Sequence, residues 1–352
     1  MLSGDLPPSQ TTPFSGLGPD CVLDALASVG LQGDGRLIQL NSYENRVYQV
    51  FLDDGRIVVA KFYRPGRWTD AQILEEHVFV DELARVELPV AAALPLLASG
   101  GEGGAGQGRL IAPTLAEFHT PNGTYRFSVA KRLSGRAPEL GDSETLQRMG
   151  SAIGRIHSVG GQGKFRFRQP LDFATLGLAS RDGLLSAQAI PIEALESWRG
   201  AADAALAAVE AMYARLGSLR LLRLHGDCHL GNVLWAQSGP QFVDFDDTGT
   251  GPAIQDIWML LSGDHLSMCS EVAEVLAGYR RFMDFDVREL RLIEPLRTLR
   301  MLRHSAWIAQ RWADPAFPLA FPWFREPSYW QEQASNLREQ VRLMAEPPVT
   351  LP

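Results

Sequence analysis

The sequence predicts an α+β chain in two lobes, a small antiparallel β-sheet with one main helix followed by a larger, mostly helical part. Three observations carry this expectation. Residues 37–63, "LIQLNSYENRVYQVFLDDGRIVVAKFY", alternate apolar and polar side chains at the period of two that a half-buried strand needs, and they turn at Asp54-Gly55. From "LGDSETLQRMGSAIGRIHSVG" onward the apolar residues recur at helical spacing. Between the two patterns, "KRLSGRAPEL" (131–140) gathers Gly, Ser and Pro just after a strand, as a hinge would.

Taken in order, residues 1–20 are rich in Pro and Gly and read as a flexible amino-terminal arm, with no basic segment leading into an apolar one. Strands are expected near 37–41, 46–52 and 56–63, then a helix over 69–86 with Thr69 as its N-cap. The stretch "GGEGGAGQG" fits neither a dinucleotide nor a P-loop pattern, and "GGQGKF" (160–165) has Phe165 where a hydroxyl is needed; both read as flexible turns. "TYRFSVAKRL" is strand-like and closes the first lobe, which spans residues 21–134. Residues 135–352 form the second lobe, its helices interrupted by "LRLLRLHGD" and "PQFVDFDD".

Composition narrows the function classes. With 352 residues, 45% hydrophobic, the chain can bury one large core or two modest ones. A net charge of −8 gives no electrostatic footprint for nucleic acid or an anionic membrane surface. Cys21, Cys228 and Cys269 show no zinc-ligand or disulfide spacing, which points to a reducing compartment. No uncharged apolar run is long enough to span a bilayer. The expectation is a cytoplasmic chain without nucleic-acid or membrane partners, and a monomer.

The chemistry concentrates in "LRLHGDCHLGNVLW". His225, Asp227 and Asn232 have the spacing of a kinase catalytic loop. Phosphoryl transfer needs a carboxylate to orient the attacking hydroxyl and take its proton, and oxygen ligands for the cation that neutralises the nucleotide phosphates. Asp227 suits the first role and the Asn232 amide the second; hard Mg²⁺ prefers such oxygens to imidazole or thiolate. "QFVDFDDTG" supplies a second carboxylate, Asp244, just past an apolar pair. A lone Asp there would be a turn cap, but base, amide and second carboxylate in this order are hard to obtain by chance. Asp246 and Asp247 read as capping residues, Asp256 as a brace for the loop, and His225 as a core residue shaping it.

The nucleotide side has its own signature. "RIVVAKFY" places Lys61 on a strand in the V-A-I-K form. Alone, it is as readily a solvated strand lysine. In the helix that follows, Glu76 falls on the face shared by Ile73, Phe79, Val80 and Leu83, with Glu75 at its edge, so Glu76 is the expected partner. Arg297, Arg300 and Arg303 recur at helical spacing, either as a charged helix face or as a wall facing substrate; the spacing does not decide.

"HGDCHLGNVLW" followed by "VDFDD" resembles the aminoglycoside phosphotransferase/choline kinase superfamily. "LNSYENRVYQ", "VVAKFYRPGRWT", "ILEEH", "GPAIQDIWMLL", "IEPLR" and "RWADPAFPLAFPW" make the likeness closest to the bacterial stress response kinase A family, over nearly the whole chain. The resemblance implies a protein-kinase-like fold and an ATP- and Mg²⁺-dependent serine/threonine protein kinase that phosphorylates protein hydroxyls, its own included, in a stress response. It makes Asp227 the proton acceptor, Asn232 and Asp244 the Mg²⁺ ligands with Asp244 also an active-site residue, and Ser42 an ATP-binding position. The Ser42 turn carries Asn41 and Asn45 in place of the usual glycines. His229 stands where Ser/Thr kinases carry Lys, and an imidazole is only partly protonated near neutrality. The alternative is a kinase of a small alcohol such as choline, an amino alcohol or an aminoglycoside, which an acidic wall near Asp227 would favour.

Overall fold

The computed structural model describes residues 13–97 and 107–351. They fall into two compact units. One takes the chain up to His77, Ala92–Arg132 and Ala313–Leu319; the other takes Val78–Ala91, Leu133–Trp312 and the chain from Ala320 onward.

The first unit holds helix α1 (Pro19–Ala27) and strands β1 (Gly33–Leu40), β2 (Arg46–Leu52) and β3 (Ile57–Phe62). Helix α2 (Asp70–Arg85) follows, then β4 (Gln107–Ala112), β5 (Leu115–Thr120) and β6 (Gly123–Lys131). The six strands form one antiparallel sheet in the order β1-β2-β3-β6-β5-β4. Alternation in β3 sends Val58, Ala60 and Phe62 into the core, and the Phe62 ring stacks on Phe127 at 5.2 Å. Burying each such ring contributes about 2–3 kcal/mol. Gly55, at φ 85°, makes the β2–β3 turn in a conformation that a side chain would strain. Strands β4 and β5 were not expected: β4 emerges from a glycine-rich stretch, and β5 ends in polar residues after a short alternation. Residues 1–12 of the arm and 100–106 of the glycine-rich stretch lie outside the described residues. Phe14 and Leu17, which the sequence assigns to the flexible arm, are buried in the core of this unit.

Helix α2 begins with a reciprocal cap: Gln72 N donates to Thr69 Oγ1 at 3.3 Å, and Thr69 N donates to Gln72 Oε1 at 2.9 Å. The helix divides between the units, which a single cut at 134/135 does not allow for. Its later turns pack into the second unit, where Phe79 meets Phe165 and Phe245 and Glu82 pairs with Arg223 at 2.7 Å. Ala313–Leu319 joins the first unit through Asp314, paired with Arg64 at 2.9 Å.

The second unit begins with α3 (Ser143–Gly160), capped by Asp142, which accepts from Thr145 N. Next come α4 (Ala179–Ser186), α5 (Ile192–Leu216), β7 (Leu221–Leu224), β8 (Val233–Ala236), β9 (Gly239–Phe242) and β10 (Gly249–Pro252). Helices α6 (His265–Tyr279), α7 (Ile293–Gln310) and α8 (Ala316–Ala320), the last straddling the boundary, precede α9 (Pro327–Ala345). β7 pairs with β10 and β8 with β9, both antiparallel. Trp198 of α5 and Trp330 of α9 meet edge to face at 5.7 Å, both fully buried. No helix among the described residues is long and apolar enough to cross a membrane.

Candidate active site

In the first unit, Lys61 and Glu76 come together. Lys61 lies between Val47 on β2 and Ser128 on β6. Its Nζ is 3.6 Å from Glu76 Oε1, with side chains only 16% and 7% exposed. Glu75 remains half-buried on the neighbouring face of α2. A buried polar network lies beside the pair: Tyr63 Oη is 2.8 Å from His77 Nε2 and 2.9 Å from Ser128 Oγ, and His77 Nδ1 is 2.9 Å from Thr114 Oγ1. Satisfied networks of this kind fix helix against sheet.

The Ser42 turn, between β1 and β2, is held by an arginine. Arg64 Nε donates to Glu44 O at 2.9 Å and Nη2 to Tyr43 O at 3.0 Å, while Arg64 N donates to Asn45 Oδ1. Glu44 also pairs with Arg64 and Arg67. The Asn45 side chain is thus buried in the turn's own scaffold. The Ser42 hydroxyl accepts from Asn45 N at 3.2 Å and is half-buried. Arg64, in "YRPGR", was not singled out in the sequence; its buried ion pairs with two separate segments became visible only in three dimensions.

In the second unit, one carboxylate organises the loop after β7. Asp256 accepts from His225 N at 2.7 Å and Gly226 N at 2.8 Å, and its Oδ2 lies 3.0 Å from His157 Nε2. His225 Nε2 donates to Val243 O at 2.9 Å, so the ring ties this loop to the strand leading to Asp244, and it lies tilted against the Phe245 ring with centroids 4.3 Å apart. Gly226 sits at φ 89°, and a Cβ there would lie 2.1 Å from Asp247 O. Only glycine lets the two loops approach so closely.

Asn232 Nδ2 donates to Asp227 O at 3.0 Å, binding the two residues into one turn. Val243 N donates to Asn232 O at 3.0 Å, just beyond the Val233–Phe242 pairing of β8 with β9. Asn232 and Asp244 therefore stand at the same end of this hairpin. Asp244 is exposed and adopts the left-handed conformation, φ 59° and ψ 65°, which Asp tolerates better than most residues. An amide and a carboxylate oxygen together suit a hard divalent cation. Among the described residues no group of three or more His, Cys, Asp or Glu could hold a metal. Two protein oxygens are what Mg²⁺ takes when phosphates and water complete its shell.

Both oxygens of Asp227 are engaged. Arg300 Nη1 donates to Oδ1, and His229 Nε2 lies 3.4 Å from Oδ2. Burial opposes the charge of Asp227, but the hydrogen bond from His229 and the positive charge of Arg300 outweigh it and hold the carboxyl well below its ordinary range. His229 Nδ1 accepts from Gly231 N at 3.0 Å, which orients the ring. Of the three arginines at helical spacing on α7, Arg300 alone is bonded to Asp227 among the described residues. Arg297 turns to Glu294 at 2.7 Å and to the Trp258 ring. The sequence marked the arginines but not which one faces the loop.

Geometry and comparison converge on a class of protein. The six-stranded antiparallel sheet and the helical unit are those of a kinase-like fold, and the family and relatives matched make the chain an ATP-dependent phosphotransferase. The chain belongs to the phosphotransferase enzyme family, whose model matches residues 36–293. It is 40% identical over 338 residues to stress response kinase A of Salmonella choleraesuis (strain SC-B67), and equally to the serine/threonine protein kinase RdoA of Salmonella typhimurium; each match covers 96% of this chain and 97% of the relative. Among solved structures, an amicoumacin kinase, hAmiN, in complex with AMP-PNP and Ca²⁺ superposes with a TM-score of 0.67 at 20% identity, covering 94% of both chains.

Proposed function

We propose that the chain transfers the γ-phosphoryl group of ATP to serine and threonine hydroxyls of proteins, its own included, in a bacterial stress response. The observation that carries this reading is the near-full-length identity of 40% with kinases named for those activities. A cytoplasmic location is part of the proposal.

Asp227 takes the acceptor hydroxyl. Its carboxylate is ionised at neutral pH, so it orients the O–H and receives the proton late, as the oxygen attacks the γ-phosphorus. The bond from the γ-phosphorus to the bridging oxygen breaks, and its electrons leave with ADP. Lys61, fixed by Glu76, holds the α- and β-phosphates, and Ser42 contributes a hydroxyl to the nucleotide. Asn232 and Asp244 hold Mg²⁺, which when bound neutralises charge on the phosphates. Arg300 supplies the fixed positive charge beside Asp227 that Lys supplies in other Ser/Thr kinases. The second reading, a small-molecule kinase, draws on the fold shared with the amicoumacin kinase.

The test is Asp227→Asn beside wild type, with labelled ATP, Mg²⁺ and phosphoamino-acid analysis. Wild type should yield phosphoserine or phosphothreonine on itself or a generic protein. The variant should bind MgATP with near-normal affinity and lose at least ~100-fold in kcat. Wild type that labels a small amino alcohol and no protein would decide for the second reading.

A further inference from the structure

Arg300 is a fixed element of the acceptor side of Asp227. It projects from α7, whose Leu299 and Leu302 are fully buried, so its Cα is anchored by core packing. One and two turns further along the same face stand His304 and Trp307, stacked at 5.9 Å, with the Phe321 ring edge-on to both at 6.3 and 5.8 Å. The Arg300 side chain is 43% exposed while bonded to Asp227, which is 23% exposed. Its guanidinium therefore faces both the carboxylate and whatever approaches it.

This decides the local charge. An acceptor hydroxyl that donates to Asp227 comes within a few ångströms of the guanidinium. A cation one to three bonds from that hydroxyl, as in an amino alcohol, meets a like charge, and the negative charge that would have attracted it is already paired. A carboxylate in the same place meets a planar donor fork suited to bidentate bonding. The α7 side chain bonded to Asp227 is a guanidinium, where a kinase of cationic alcohols needs an acidic group.

We propose that Arg300 determines acceptor specificity, selecting serine or threonine hydroxyls in acidic peptide segments and rejecting cationic amino alcohols. The proposal rests on the reading of Asp227 as the acceptor carboxylate.

The experiment compares two serine peptides of equal length, one with Glu on both sides of the serine and one with Lys, together with 1-amino-2-propanol. Each is assayed with MgATP against wild type, Arg300→Lys, Arg300→Gln and Arg300→Glu. Wild type should favour the acidic peptide by about tenfold or more in kcat/KM, because like and unlike charges a few ångströms apart differ by that much in a partly desolvated site. Arg300→Lys should keep the preference, Arg300→Gln should reduce it to about threefold or less, and Arg300→Glu should invert it and gain transfer to the amino alcohol. A purely structural role for Arg300 would lower both peptides together and leave their ratio unchanged. Equal use of the two peptides by wild type, or an unchanged ratio in a folded Arg300→Glu, overturns the proposal. The wild-type ratio is decisive even if a variant fails to fold. Wild type that transfers to no hydroxyl at all would overturn the Asp227 reading itself, and this proposal with it.

Discussion

Glu76 differs from Glu75 by one position and by its burial. Its side chain is buried and 3.6 Å from Lys61, whereas Glu75 stays half-buried. Replacing Glu76 with Gln keeps the shape and removes the charge that fixes the ammonium. We expect Glu76→Gln to raise the KM for ATP by about tenfold, the scale of one partly buried charge interaction, with Glu75→Gln changing it by less than about twofold. Initial-rate kinetics over an ATP series check this, and the reverse order would remove Glu76 from the nucleotide site. Helical periodicity made this residue legible, because a 100° step assigns a face without tertiary information. Asp227, Asn232 and Asp244 stand out in the sequence for another reason: they lie within eighteen residues, and their order is itself a pattern. Arg300 lies 73 residues from Asp227, and three arginines share its spacing, so only packing could distinguish it.

At the scale of elements, α3 and α6 cross at a distance that only glycine permits. A Cβ on Gly150 would lie 1.9 Å from Val275 O, and one on Gly278 would lie 1.9 Å from Gln147 O. These obstacles are backbone atoms, so no rotamer change relieves them. Alanine is the better helix former by about 1 kcal/mol, yet Gly150→Ala must push two helices apart. We expect it to destabilise by about 3 kcal/mol or more, since overpacking against backbone exceeds the usual 1–3 kcal/mol. Gly200, in α5, has nothing within 4 Å of its Cβ position, so Gly200→Ala should stabilise by up to about 1 kcal/mol. Opposite shifts of Tm for the two variants support the close crossing; a stabilising Gly150→Ala would contradict it. The sequence shows these glycines but not their reason, since a helical glycine is as easily a weak point as a contact. β4 and β5 escaped for a related cause: short strands flanked by glycine and polar residues lack the length over which alternation becomes distinctive. The β2–β3 hairpin, with longer strands and an Asp-Gly turn, had both signals.

For the molecule as a whole, the change of periodicity near residue 135 was legible in the sequence. The exchange of Val78–Ala91 and Ala313–Leu319 was not, because it depends on which core takes Phe79 and which arginine takes Asp314. Long-range order within the second unit runs through two carboxylates in series. Glu289 Oε2 accepts from Ile254 N at 2.9 Å, and the turn so held carries Asp256, which in turn accepts from His225 N and Gly226 N. Glu289 is 2% exposed. Burial raises its carboxyl from 4.5 to about 7, more than the hydrogen bond from Ile254 lowers it. With the folded value above the unfolded one, the folded state binds the proton more tightly. Its stabilising contribution is complete below about pH 4.5 and is lost as pH rises through about 7. The loss between pH 5.5 and pH 8 amounts to about 2 kcal/mol. Asp227 does not mask it: its carboxyl is depressed, so its own contribution falls away only in more acidic solution. Glu289→Gln keeps an oxygen to accept from Ile254 and removes the titration. We therefore expect wild type to lose stability from pH 5.5 to pH 8 by about 2 kcal/mol more than the variant, measured by urea unfolding at each pH. Parallel pH profiles for the two proteins would mean that Glu289 stays ionised in the fold, and that the turn beneath the Asp227 loop is held by a charged carboxylate throughout this range.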